Sequence, residues 1–439
     1  MTRRLRRIGL TLASVVLGAG LTACHGGVKP SAAASAAPVA TPVAAAATPA
    51  APVPDAAFTA WLTQARADAA KRGIKNAVID QALGDIAPIP RVVELDGQQP
   101  EFSNTFTRYL NSAVSDRRVA DGRAMMQKHA ALLKQLEAQY GIPGRFLVAF
   151  WGLESNFGSD TGTYPVVTAL ATLAYDGRRE AMFRDEMFKA MTILDQGHIS
   201  YPKMKGSWAG AMGQTQFMPS VFLRLAVDQD NDGHKDIWTN VADALGSTAN
   251  YLKNMGWDTE RTWGREVQLP AGFDLRNVSL DVDAKENIKP LAEWAQLGLR
   301  RADGGPLPVL DIAASVLLPA GTKGPALLVY DNYRTTLRYN RSAFYAIAIG
   351  YLADRVSGAG KLIKPAQEDA PLRREEVMGL QEGLVTLGFL KSADGVMGSV
   401  TRQAVRAFQL ANGLTPDGYA DRAVIAAVRN RAQTNQPAG

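Results

Sequence analysis

Cysteine is nearly missing from this chain: Cys24 is the only one among 439 residues, so no internal disulfide can staple the fold. Histidine is scarce as well, with four in all, and His234 has none of the soft or nitrogenous company that a transition metal prefers. Residues 1–23 hold four arginines (Arg3, Arg4, Arg6, Arg7) and no acid. The formal charge of +6 therefore falls to +2 without them, which is no nucleic-acid footprint. The apolar stretch Ile8–Ala23 is too short to span a bilayer comfortably. Residues 25–55 have almost no charge and no material for a core. No long-period repeat is present. What remains is an ordinary globular composition, 46% hydrophobic and 21% charged, long enough for two or three domains.

The basic start followed by an apolar run is a secretory signal pattern over residues 1–23. It ends in Leu21-Thr22-Ala23-Cys24, which resembles a bacterial lipobox. That resemblance implies a lipid-modified Cys24, held in the membrane by about 0.8 kcal/mol per buried methylene. His25 follows, where an aspartate would favour the inner membrane, so the pattern favours the outer one. Residues 24–55 read as the anchor and an Ala/Pro-rich tether. Helical periodicity begins at Phe58-Trp61-Leu62 and recurs through Leu110 and from Met125 to Leu136. Residues 142–256 read as helix-rich. Between 262 and 330, Val267-Gln268-Leu269-Pro270, Val309-Leu310 and Ala326–Tyr330 read as short strands. A helix returns at 342–353, residues 356–370 form a linker, and 371–432 form a small separate unit.

The most informative residue is Glu154, which closes the apolar run Phe146–Leu153. A carboxyl among such neighbours is costly to ionise, so its pKa is expected to rise and suit it to general-acid work. Breaking a glycosidic bond needs such an acid and something to manage an oxocarbenium-like centre. Three blocks carry a family resemblance: Phe150–Gly158, Ser207–Ser220 and Arg338–Ser342. In order and spacing they resemble the B-type membrane-bound lytic murein transglycosylases, over roughly residues 58–355.

That resemblance implies a mainly α chain (α+β overall). Its parts would be a lysozyme-like helical catalytic core with a helical N-terminal part, a small β insertion and a C-terminal three-helix module. The catalytic domain is placed at 56–355. Glu154 would protonate the bond between N-acetylmuramic acid and N-acetylglucosamine. It would then take the proton of the muramyl 6-hydroxyl, closing a 1,6-anhydro ring without water. Ser207, Gln216, Tyr251, Tyr339, Asn340 and Tyr345 would line the cleft or orient the glutamate, with Tyr109 by a looser match. Arg178 and Arg179 would face peptide or lactyl carboxylates, and Met182 stands where some members carry a tyrosine. Two other readings have their own residues or logic. One is a muramidase in which a carboxylate such as Asp160 activates water; the other is a non-catalytic scaffold that only grips glycan.

Asp228, Asp230 and Asp232 with Gly233 form the front half of an EF-hand loop. Position 12 is Thr239, not a bidentate glutamate. The resemblance implies an unusual calcium loop completed by a main-chain oxygen near His234 and by Asp243, with a structural ion; the chemistry itself needs no cofactor. Residues 371–432 resemble the three-helix peptidoglycan-binding domain, with Val405, Phe408 and Leu410 as core and two Asp-Gly turns. The expected partners are glycan strands of peptidoglycan, a membrane through Cys24, and cell-wall synthesis or division proteins. The expected location is the periplasm, anchored to the outer membrane.

Overall fold

Apolar residues on nearly every side of Gly144–Ser155 make it a helix that must lie inside other helices. In the computed structural model, which describes residues 56–98, 105–280, 287–365 and 370–434, it does so. The signal segment, Cys24 and the tether lie outside the described residues. Phe146, Phe150 and Trp151 of this helix are almost fully buried, each contributing about 1.5–3 kcal/mol of burial. Around it pack Asp116–Lys128, Ala130–Tyr140, Val241–Asn254 and Ala343–Val356. One continuous core runs from Phe58 to Val356. The helices Val166–Asp176 and Glu180–Asp195 pair on one flank of it.

A five-stranded antiparallel sheet has its own core around Trp294, Val316 and Leu328. Its order is Lys289–Pro290, Ala313–Leu317, Ala326–Val329, Gly264–Gln268, Arg300–Arg301. Val309 and Leu310 are not a strand. They are exposed and unpaired beside Pro306 and Pro308, and the strand begins four residues later at Ala313. Proline has no N–H to give a ladder, so Pro306 and Pro308 make the approach to this segment a poor strand. Trp263 Nε1 donates to Asp354 Oδ2 at 2.9 Å and joins the sheet region to the helix Ala343–Val356.

The C-terminal helices Arg374–Thr386, Ser399–Ala411 and Arg422–Thr434 enclose a third core. Leu410 is not part of it: this side chain is exposed, while Gln409 next to it is buried. Two buried glutamines hold the Asp-Gly turns. Gln381 Oε1 accepts from Asp394 N and Gly395 N, and Gln409 Oε1 accepts from Gly418 N. The unit is also not separate. Linker residues Ile363 and Lys364 donate their backbone N–H groups to Glu266, and Thr322 N donates to Asp417.

Candidate active site

Glu154 lies in the last turn of Gly144–Ser155 and is half-buried, open to solvent on one side instead of enclosed by the apolar run. The helix ends in an unusual turn. Asn156 (φ 46°) and Phe157 (φ 60°) are both left-handed, and Gly158 follows at φ 81°. Side-chain-bearing residues rarely take that conformation, so the surroundings must hold it. Phe157 folds its ring back over Gly152, where an added Cβ would sit 2.8 Å from the ring. Ser155 Oγ donates to Gln214 O at 2.9 Å and accepts from Gly158 N at 3.1 Å. Gln214 Oε1 accepts from Trp151 Nε1 at 2.8 Å, and its Nε2 donates to Trp238 O at 3.2 Å. The turn after the glutamate is thus bolted to the Ser207–Ser220 segment.

Tyr345 supplies the direct contact: its hydroxyl donates to Glu154 Oε1. Ser342 caps the start of Ala343–Val356, accepting from Tyr345 N at 3.3 Å. Asn340 Oδ1 in turn accepts from Ser342 N at 3.0 Å, so this side chain shapes the turn that presents Tyr345. Tyr339 donates to Thr215 O, and Tyr251 donates to Arg338 O at 2.7 Å. The rings of Tyr251 and Tyr339 are 4.7 Å apart, and Phe150 lies 4.9 Å from Tyr339. Burial, then the charge of Glu154, pushes the phenols of Tyr339 and Tyr345 far above their ordinary range. Burial also raises Tyr251. All three stay protonated donors.

Ser207 Oγ accepts from Ala211 N at 3.0 Å, closing the loop. Gln216, left-handed at φ 50°, donates through Nε2 to Gly213 O at 2.8 Å and Thr161 O at 3.2 Å. Tyr109 is half-buried with its ring 6.0 Å from Phe344, the neighbour of Tyr345. Arg178 and Arg179 are held by the protein's own acids. Both pair with the buried Asp96, and Arg178 also donates to Asp176 at 2.8 Å. Met182 is exposed, and so is Asp160.

Asp228, Asp230 and Asp232 bring one carboxylate oxygen each within 4.8 Å of one another. Hard oxygen donors converging in this way fit calcium. The loop holds its shape by Asp228 accepting from Asp232 N and Gly233 N, and Asp232 from His234 N. Asn231 takes φ 62°. Asp243 lies fully buried beneath the loop, and its two oxygens accept from Gln229 N and Asp236 N at 2.7 Å each. Burial, with Asp230 and Asp228 adding, pushes its carboxyl up to about 6 against those hydrogen bonds. Asp243 therefore stands apart from the three converging acids, while His234 adjoins the loop through its main chain, its N–H bound to Asp232.

The sequence did not single out Ser155, Gln214 or Trp151 as site residues. The only hint was their place inside the first two motif blocks. Comparison with known proteins gives the family. The transglycosylase SLT domain matches residues 57–354, and a putative peptidoglycan-binding domain matches 373–428. Membrane-bound lytic murein transglycosylase B of Escherichia coli K12 is 29% identical over 297 residues, 65% of this chain and 80% of that protein. SltB3 from Pseudomonas aeruginosa, solved with NAG-anhNAM-pentapeptide, is 43% identical. It covers 85% of this chain and 100% of its own, with a TM-score of 0.81. Escherichia coli Slt35 with calcium is 27% identical over 69% of this chain and 93% of its own, with a TM-score of 0.58. Residues 57–354 are most of the sequence, and this chain belongs to the lytic murein transglycosylases of the SLT-domain family, enzymes acting on peptidoglycan, with a peptidoglycan-binding domain at its C-terminus.

Proposed function

We propose that Glu154 carries the reaction alone, first as acid and then as base. It gives its proton to the oxygen linking N-acetylmuramic acid to N-acetylglucosamine, and that C–O bond breaks. The muramyl acetamido carbonyl supports the anomeric carbon as positive charge develops. The carboxylate then takes the proton of the muramyl 6-hydroxyl, whose oxygen closes on the anomeric carbon. The product is a 1,6-anhydro sugar, no water enters, and the proton count balances.

The observation that carries this reading is the Tyr345 hydroxyl on Glu154 Oε1, which fixes one oxygen of a carboxyl that is only half-buried. The NAG-anhNAM-pentapeptide held by SltB3 supports the product assignment. The test is Glu154→Gln, digested against purified sacculi alongside the parent enzyme in 18O-water. Anhydromuramyl ends without 18O from the parent, and none from the variant, are expected. Reducing ends carrying 18O would replace this reading with a muramidase, and cleavage by the variant would remove Glu154 from its role.

Ser207, Gln216, Tyr251, Tyr339, Asn340 and Tyr109 are assigned to shaping the cleft wall. Arg178 and Arg179, each with donors beyond those given to Asp96 and Asp176, are assigned to stem-peptide or lactyl carboxylates. Asp228, Asp230 and Asp232 are assigned to a structural calcium ion, a charge that would offset three crowded carboxylates. The ion has no part in bond cleavage.

The domain limits follow from the same reading: catalytic body 56–355, linker 356–370, wall-binding module 371–432. Cleavage of the signal before Cys24, acylation there and a tether of about thirty residues would keep the enzyme in the periplasm on the outer membrane. No helix among the described residues is long and apolar enough to cross a membrane. Radiolabelled palmitate incorporation into the parent but not into Cys24→Ser tests the anchor. Division or synthesis proteins that travel with the wall are the protein partners this placement predicts.

A further inference from the structure

The wall-binding module is fastened to the catalytic body by partly buried polar contacts that wall binding alone would not require. Asp417 Oδ2 accepts from Thr322 N at 3.0 Å, while its Oδ1 stays with Gln409 and Tyr419 inside the module. Arg406 donates to the carbonyls of Val278, at 2.9 Å, and Leu275. A carboxylate and a guanidinium spent on main-chain atoms of another domain make a geometrically specific dock, not a loose tether.

The seam also reaches the catalytic centre. Arg402, on the helix Ser399–Ala411, holds its guanidinium carbon 5.4 Å over the ring of Phe344. Phe344 immediately precedes Tyr345 in the first turn of Ala343–Val356 and packs on Phe106 at 5.4 Å. A cavity of about 140 Å³ lies beside this contact, between Phe106 and Phe344 on the body and Val377 and Met397 on the module. Packing is therefore discontinuous here, and Arg402 lines the cavity together with Phe344. A helix's first turn lacks the full set of intrahelical bonds that steadies its middle. A tilt there is magnified at the end of a tyrosine side chain, where a hydrogen bond tolerates only a few tenths of an ångström.

We infer that Arg402 is a positioning residue for the catalytic centre: the docked module, through Arg402 on Phe344, sets the first turn of Ala343–Val356 so that Tyr345 meets Glu154. This rests on Glu154 as the proton donor. Its consequence is that the module serves turnover even on a substrate too short to need it for binding.

The test uses the full chain and a soluble tetrasaccharide–peptide glycan fragment. Arg402→Ala is expected to lower kcat about ten-fold with KM and sacculus binding essentially unchanged, the signature of misplacement without lost binding. Arg402→Lys, which keeps a cation over the ring, should recover part of the loss. In a Phe344→Leu background Arg402→Ala should cost nothing further, because the two act as one unit. Lys323→Ala cuts only the exposed bridge to Asp421 and should leave kcat as it was. Should Arg402→Ala not fold, Arg402→Met keeps the stem beside the cavity, removes the charge, and carries the same expectation. Unchanged kcat, an effect confined to KM, or losses that multiply in the double variant would overturn the inference. Failure of the underlying assignment would show separately, as activity in Glu154→Gln.

Discussion

The hydroxyl of Tyr345 donates to Glu154 Oε1 across 191 residues of sequence, from the first turn of one helix to the last turn of another. Tyr339 does the parallel task for the second motif block, donating to Thr215 O. Two phenols therefore gather three distant segments around one carboxyl.

Tyr345→Phe keeps the ring that packs 6.3 Å from Phe150 and removes only the donor. Loss of a single aimed donor costs about 10²- to 10³-fold in turnover where it orients or stabilises reacting charge. Stability should fall by only about 1 kcal/mol, the net worth of one hydrogen bond. Muropeptide release rates and thermal melts of the same preparation check both. Parental turnover would remove the phenol from the mechanism.

Gln214→Leu should act in the opposite way, on the fold before the chemistry. The change leaves Trp151 Nε1 and Trp238 O without partners in a buried place. Stranding buried polar groups costs about 1–3 kcal/mol each. A urea midpoint shift of that size is expected, with activity lost in step with the folded fraction. A midpoint equal to the parent's would mean that the turn after Glu154 stands without this bolt.

Glu154 was legible from chemistry, because a carboxyl ending an apolar helix has few alternative uses. The tyrosines and amides around it were legible only through the family resemblance that three motif blocks carry. Partnerships with the main chain were not legible. Asp96, 83 residues from Arg179, gives no sign in sequence that it will take both arginines. Asp243 is a late calcium ligand only by the family resemblance, and its oxygens accept from Gln229 N and Asp236 N. The linker at 356–370 reads as freedom, whereas Arg402, Arg406 and Asp417 find partners on the catalytic body that no spacing rule marks. Val309 and Leu310 show the reverse failure: strand-forming residues left exposed just after Pro306 and Pro308, outside the sheet.

Calcium should stabilise the protein without driving its chemistry. An ion that binds only the folded state adds about 2.7 kcal/mol at one hundred times its Kd. Melting curves with excess calcium and with chelator should separate accordingly for the parent and coincide for Asp230→Asn. Cleavage of a short glycan at a temperature where both forms are folded should be the same with and without chelator. Coincident parental curves would leave the three aspartates as a turn without an ion.

His129 supplies a pH dependence with a definite sign. It stands between the helices Asp116–Lys128 and Ala130–Tyr140, 5.5 Å edge-on to Trp151, with Nε2 buried and unpartnered. Burial first, then Lys128, holds its pKa below the ordinary 6.5. The unfolded chain therefore takes up this proton at a higher pH than the folded one. The resulting stability is present above pH 6.5 and is lost as pH falls from there through the depressed folded value. His129→Phe keeps a ring against Trp151 and deletes the titration. Relative to the parent, the variant should gain in urea midpoint from pH 7.5 to pH 5, with a slope difference of at most about 1.4 kcal/mol per pH unit. Midpoint curves that stay parallel over that range would mean that the imidazole titrates alike in both states and that its burial costs the folded protein nothing in acid.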